Sequence, residues 1–272
     1  MTALAAMRPL AAMPVPALAR IDTVLCDIDD TLTSGGRLPA ESYAAIERLE
    51  GAGVTVIPVT GRPAGWCDHI ARMWPVAAIV GENGAFYFRY ERVRRRMLRR
   101  YARPAATRRA DRRRLSALAR AIVAAVPGSA VAADQAYREA DLAIDFCEDV
   151  PRLPMGAVER IVAMFREAGA RAKISSVHVN GWFGDYDKLT TVLRLLRECF
   201  EIGAEAARRR CAFVGDSPND SPMFGYFGGS VGVANVRDFG DRIEPPPAYV
   251  TTARGGAGFA EFAVALLAAR SA

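Results

Sequence analysis

The chain has 272 residues, 51% apolar and 24% charged, enough to bury a full core and to form about two domains without disulfides or structural metal. Its net charge of +6 is unevenly placed: 13 Arg against Glu91 and Asp111 give Arg89–Arg114 a local +11, and the remainder carries −5, which excludes a protein basic throughout. No run of about 18 apolar residues predicts a membrane span, and five Cys without a C-x-x-C fit neither a zinc site nor a disulfide framework, so a reduced, cytoplasmic setting is expected.

Residues 1–20 are rich in Ala, Met and Pro and read as a flexible extension, with Met7 and Met13 as alternative starts. Pro9, Pro14 and Pro16 interrupt any signal-peptide core. Thr23–Ile28 is a short apolar run, the mark of a strand buried on both faces. A helix over Ala40–Glu50 sets Tyr43, Ile46 and Leu49 on one face and stops at Gly51 and Gly53. Val54–Val59 predicts a second strand, Pro63–Met73 a helix and Ala77–Val80 a third strand. Ala85–Tyr90 and Arg96–Tyr101 then read as a hairpin. Leu115, Leu118, Ala119, Ile122, Val123 and Val126 form a helical stripe ended by Pro127-Gly128. A strand at Leu142–Phe146, a helix through Val158, Ile161, Val162 and Phe165, and strands near Ala172–Val179 give this block a mixed α+β order. After Gly184 the alternation resumes. A helix carries Leu189, Val192, Leu193 and Leu196, strands follow at Cys211–Val214 and Val231–Ala234, and a terminal helix carries Phe259, Phe262, Leu266 and Leu267. The predicted fold is α/β, a Rossmann-like doubly wound parallel sheet with an inserted α+β cap. Its expected parts are the core at 21–83 and 184–272 and the insertion at 84–183.

Four segments carry candidate chemistry. The first strand ends in Asp27-Ile28-Asp29-Asp30-Thr31, three carboxylates in four residues. Buried and unpaired they would be costly, so a divalent cation is the natural compensation; a solvated acidic turn fits the same residues. The second strand ends in Thr60-Gly61-Arg62-Pro63, where a hydroxyl and N–H groups at a helix start suit a phosphate or a plain N-cap. Lys188, one of only two Lys, follows Asp185-Tyr186-Asp187. Gly215-Asp216-Ser217-Pro218-Asn219-Asp220 ends another buried strand. Ligands of open α/β sheets bind at these strand ends.

The ordered set D-x-D-x-T, strand-ending Thr, Lys and G-D-x-x-x-D resembles the haloacid dehalogenase-like superfamily of phosphohydrolases from Ile21 onward. Thr60 follows Asp27 by 33 residues, and Lys188 follows Thr60 by 128, which leaves room for an insertion only in the second interval. That placement resembles the C2-capped branch, type IIB, which includes sucrose-phosphate and mannosyl-3-phosphoglycerate phosphatases and the Cof-like hydrolases. Glu82-Asn83-Gly84-Ala85 resembles its step into the cap, and Gly255-Gly256-Ala257-Gly258-Phe259 its late Gly-rich turn. Two positions depart from the pattern: Leu189 and Asp30 stand where Gly is usual.

The resemblance implies a phosphatase acting on a small phosphorylated metabolite, a sugar phosphate or a phosphoglycerate-like ester. Asp27 is then the nucleophile that forms an aspartyl-phosphate, and Asp29 the general acid and base. Mg²⁺ is held by Asp27, the Asp29 carbonyl and Asp216, with Asp220 in the same cluster. Thr60 and Lys188 hold the phosphoryl oxygens. Asn219 orients Lys188 or a metal-bound water, and Thr31, Gly61, Arg62 and Asn83 join it as candidate substrate contacts. Monomer and homodimer both fit. A phosphomutase shares the same motifs. A nucleic-acid-binding protein built on the Arg segment is the rival from another class, although those Arg lie opposite an apolar stripe, as on a solvated face. His178 is either a substrate contact or a hydrogen-bonded structural residue; His69, Trp182 and Phe183 read as structural. The Arg segment is either a positive cap over an anionic substrate or a solvated surface.

Overall fold

The computed structural model describes residues 7–271. In chain order its strands are β1 (Arg8–Pro9), β2 (Thr23–Cys26), β3 (Thr55–Pro58), β4 (Ile79–Gly81), β5 (Phe86–Glu91), β6 (Arg96–Tyr101), β7 (Ala130–Val131), β8 (Leu142–Asp145), β9 (Arg171–Ile174), β10 (His178–Trp182), β11 (Cys211–Gly215), β12 (Gly229–Gly232) and β13 (Tyr249–Val250). The main sheet runs β1-β13-β12-β11-β2-β3, and each pairing in it is parallel. Side chains alternate between its faces. Val24, Cys26 and Val56 enter one core with the helices Ala40–Gly51 and Gly255–Ser271. Leu25, Ile57 and Phe213 enter the other with the helices Lys188–Phe200 and Ser221–Tyr226. Both faces are covered, which explains why these strands read as unbroken apolar runs. The fold is α/β, a doubly wound, Rossmann-like sheet with an inserted α+β unit.

That unit is an antiparallel sheet in the order β7-β8-β10-β9. The helices Ala105–Ala125 and Met155–Glu167 cover one face through Leu115, Ile122, Val158, Ile161 and Phe165, packed on Leu142, Ile144 and Val179. The period of two turns Asp145, Lys173, His178, Asn180 and Trp182 to the other face, toward the core domain. Among the described residues, no helix is long and apolar enough to cross a membrane.

Two expectations need correction. The extension is ordered from residue 7: Arg8–Pro9 pairs with β13, and Leu10, Met13 and Leu18 are buried in the core that holds the terminal helix. The prolines that break a long helix still permit the short one at Val15–Ala19, which carries Pro16 in its first turn. Residues 1–6 of the expected extension lie outside the described residues. The hairpin, expected to open the insertion at 84, instead extends the core sheet. Its strand β5 pairs with β4, and β4 joins β3 through the Val59–Val80 bridge. Phe86 and Phe88 pack into one core and Tyr87 into the other, so both faces of β5 are anchored. The four-stranded unit begins only beyond Tyr101.

Candidate active site

Asp27, Thr60 and Asp216 each follow the last residues of a parallel strand, at the carboxyl ends of β2, β3 and β11. Pairing between the strands fixes their relative height: Asp27 N–H donates to Val214 O at 2.9 Å and Val59 N–H to Cys26 O at 2.7 Å. Lys188 enters from a fourth direction as the first residue of its helix. A capping box places it, with Asp187 accepting from the Thr190 N–H at 2.8 Å.

Lys188 and the carboxylates meet in a buried site. Lys188 Nζ lies 2.6 Å from Asp27 Oδ1 and 2.8 Å from Asp220 Oδ1. All of these, with Asp216, are buried. Burial and the charges of Asp220 and Asp29 hold Asp27 above the usual carboxylate range, despite Lys188. Burial, then Asp27 and Asp220, raises Asp216 further. Burial alone would lower Lys188, but Asp220 and Asp27 outweigh it and hold the ammonium above its ordinary value. One cation thus faces three carboxylates, and the excess negative charge is unbalanced by the protein. Asp27, Asp216 and Asp220 each offer an oxygen within 4.8 Å of the others. Hard oxygen donors with surplus negative charge fit a hard divalent cation such as Mg²⁺.

Several supports orient this cluster. Thr31, expected among substrate contacts, points its hydroxyl at Asp216 Oδ1, 3.3 Å away. Asn235 donates to Asp216 Oδ2 at 3.4 Å and to Asp30 O at 2.9 Å, and its Oδ1 accepts from Gly255 N–H at 3.0 Å. This ties the late Gly-rich turn to the acidic site. Asp30, at the position where Gly is usual, adopts a left-handed φ of +55°. The Thr33 hydroxyl accepts its N–H at 3.0 Å. Asn219 does not reach Lys188; its Oδ1 accepts from Ser217 Oγ at 2.9 Å. The Thr60 hydroxyl, fully buried, accepts from Arg62 N–H at 3.0 Å.

Glu82, Asn83 and Gly84 form a left-handed turn with φ of +44°, +55° and +102°. Glu82 holds it through its carboxylate, which accepts N–H bonds from Ala64 at 3.0 Å, Glu139 at 2.8 Å, Ala140 at 2.6 Å and Asp141 at 3.1 Å. One buried acid therefore pins a core helix and the insertion together. Gly84 lets the turn touch the Lys188 helix: a Cβ there would fall 2.1 Å from Asp187 O. Thr191 completes the contact by donating to Gly84 O at 2.6 Å.

Asp29 is placed differently from Asp27. Arg62 binds it through Nε and Nη2 and reaches across to Glu148 of the insertion, Nη2 to Oε1, at 2.7 Å. His178 Nε2 lies 2.9 Å from Glu148 Oε2, beside this bridge but out of line for a hydrogen bond. Asp145 shapes the turn that presents Glu148 by accepting the N–H groups of Cys147, Glu148 and Asp149, each at 2.8 Å. A second bridge runs from Arg138 Nη1 to Gly61 O at 2.8 Å. His69 is exposed on its helix.

A cleft of about 880 Å³ opens above the acidic site between the two units. The insertion lines it with Arg152, Arg166 and Lys173, and the core with Asp30, Asp216 and Asn219. No arginine from 89 to 114 lines it. Reading the sequence alone missed Glu82, Glu148, Arg138 and Asn235. A weak signal existed for Glu82, which sits beside the Asn83-Gly84 turn.

The model of the haloacid dehalogenase-like hydrolases matches residues 21–228, and the chain belongs to that family. Its fold matches protein 0175 of Thermoplasma acidophilum, with a TM-score of 0.68 at 18% identity over 91% of this chain and 98% of that one. It also matches the sucrose-phosphatase of Synechocystis sp. PCC6803, solved with sucrose and phosphate, with a TM-score of 0.61 at 12% identity over 90% and 97%. A sugar phosphatase of subclass IIB of the same superfamily aligns with a TM-score of 0.59 at 14% identity over 90% and 96%. No curated protein matches the sequence significantly.

Proposed function

We propose that this chain is a Mg²⁺-dependent phosphohydrolase that cleaves a small phosphate monoester through an aspartyl-phosphate. The observation that carries this reading is the buried Lys188, which joins Asp27 to Asp220 beside Asp216 at the ends of parallel strands. Asp27 attacks phosphorus in line as the ester oxygen leaves, and the phosphoryl group passes to its carboxylate. Asp29 delivers a proton to the leaving oxygen. It then takes a proton from the water that hydrolyses the acyl phosphate. Lys188, the Thr60 hydroxyl and the Gly61 N–H bind the phosphoryl oxygens, where charge develops. Asp27, Asp216 and the Asp29 carbonyl would hold Mg²⁺, with Asp220 beside them, and the ion when bound neutralises phosphate charge.

The neighbouring sugar-phosphatase folds and the Arg152, Arg166 and Lys173 side chains lining the cleft support a sugar phosphate or a phosphoglycerate-like ester as substrate. Five free cysteines, three of them buried, support a reducing, cytoplasmic setting. Phosphate release from a panel of monoesters with Mg²⁺ tests the reading. Turnover of at least one ester, absent in Asp27→Asn, is expected. Isomerised sugar without free phosphate would replace hydrolysis by a mutase reaction.

A further inference from the structure

A second cavity, of about 400 Å³, lies beside the acidic site. Lys188 and Asn219 form part of its wall, and Asn219 also lines both the main cleft and the small pocket over Asp27 and Asp29. The three spaces therefore meet at Asn219.

The charge in this cavity is unbalanced. Arg166 and Lys173 of the insertion line it; both are exposed, and neither has a side-chain partner among the described residues. Arg171 is engaged with Asp185 at 2.8 Å, and Lys188 with its two aspartates. Asp187 is the one acid in the wall, and its carboxylate is committed to capping, accepting from Thr190 N–H at 2.8 Å and from its hydroxyl at 2.9 Å. Lys173 stands on the core-facing side of the inserted sheet, cross-strand from Asn180.

Asn83 adds an independent observation. It lines the same cavity, is 3% exposed, and its Nδ2 has no partner. An unpaired buried donor costs about 1–3 kcal/mol. It is held there by a left-handed residue, φ +55°, a conformation that asparagine adopts at a cost. A buried, unpaired donor and two exposed cations thus line one space next to the phosphoryl site.

We propose that this cavity takes the leaving group of the substrate, and that the leaving group carries a second anion, a carboxylate or a phosphate. Lys173 and Arg166 pair with that anion, and the Asn83 amide donates to one of its oxygens. The inference rests on the phosphohydrolase reading and narrows it. A phosphoglycerate-like ester or a bisphosphate fills the cavity's charge, and a neutral sugar phosphate leaves both cations unpaired.

Calorimetric binding of three phosphonates in the presence of Mg²⁺ tests this with or without turnover. Methylphosphonate carries one anionic group, phosphonoacetate adds a carboxylate, and ethane-1,2-bisphosphonate adds a second phosphonate. At least one two-anion probe binds about tenfold tighter or more, the size of one charge-assisted hydrogen bond, and the tighter of the two identifies the second anion. The double variant Lys173→Ala/Arg166→Ala loses that preference, and Asn83→Asp weakens the two-anion probe more than methylphosphonate. Equal affinities in the wild type, or a preference that survives the double variant, overturns the proposal. Ester turnover is measured in parallel. No hydrolysis with the binding preference intact defeats the phosphohydrolase reading alone; hydrolysis without the preference defeats only the second-anion site.

Discussion

Arg62 grips Asp29 at both carboxylate oxygens, Nε lying 2.9 Å from Oδ1 and 3.0 Å from Oδ2. Its Nη2 is shared between that acid and Glu148 on the other unit. Both Asp29 oxygens thus already accept from Arg62. The position of the insertion, set partly through Glu148, is therefore coupled to the availability of the proposed proton carrier.

The bridge has a defined pH window. His178, then Arg62, lowers Glu148 from 4.5 to about 2, against the opposing effect of burial. A carboxyl lowered on folding contributes stability that is complete above its unfolded value and lost as pH falls through its folded value. Glu148→Gln should therefore melt below the wild type at pH 7, by about 1 kcal/mol for a half-buried pair. That gap should shrink from about pH 4.5 downward. Paired thermal melts between neutral and acid pH check it, and a constant gap would detach Glu148 from the bridge.

Asp27→Asn should remove turnover, by about a thousandfold or more, because the proposed nucleophile is lost. Thermal stability should be unchanged or higher, since one of three clustered carboxylates loses its charge. Phosphate-release assays and melting curves on one preparation separate the two effects.

Mg²⁺ should raise the melting temperature of the wild type, and a chelator should reverse the gain. Saturation at about 100 times Kd corresponds to about 2.7 kcal/mol. Asp216→Asn should abolish most of this shift, read by scanning calorimetry at several Mg²⁺ concentrations.

Gly84→Ala should cost about 3 kcal/mol or more through left-handed backbone strain and overpacking. The added methyl would meet Asp187 O and, at 2.9 Å, Lys188 N. Urea unfolding gives the loss, and a fall in kcat in the folded fraction would report displacement of Lys188.

Charge reversal at Arg94, Arg95 and Arg96 should leave KM for an anionic ester within about twofold, since charges far from a site are screened by salt. None of the three lines the cleft. A large rise in KM would restore the reading of a positive cap over the substrate.

The meeting of the acidic strand ends was legible because these residues follow strands whose apolar runs announce them. Asp27, Thr60 and Asp216 each follow such a run, and pairing of parallel strands brings them together. The bridges were not legible. Arg62 meets Glu148 from 86 positions away and Glu82 meets Asp141 from 59, and no local pattern encodes either contact. The hairpin was misplaced for a different reason. Its arginines suggested an exposed element of the insertion, although Phe86-Tyr87-Phe88 carried the opposite signal, apolar groups for both faces of a sheet.

Through the Val59–Val80 bridge the core sheet continues from β1 to β6, and each end leaves backbone groups open to another strand. At one end stands Arg8–Pro9, two residues long and lacking one N–H. At the other, β6 carries Arg96, Arg99 and Arg100. The basic segment that stood out first in the composition thus lays charge along one edge of the sheet, where Arg96 pairs with Glu91 and Arg99 with Asp68, and a charged edge disfavours the addition of a further strand.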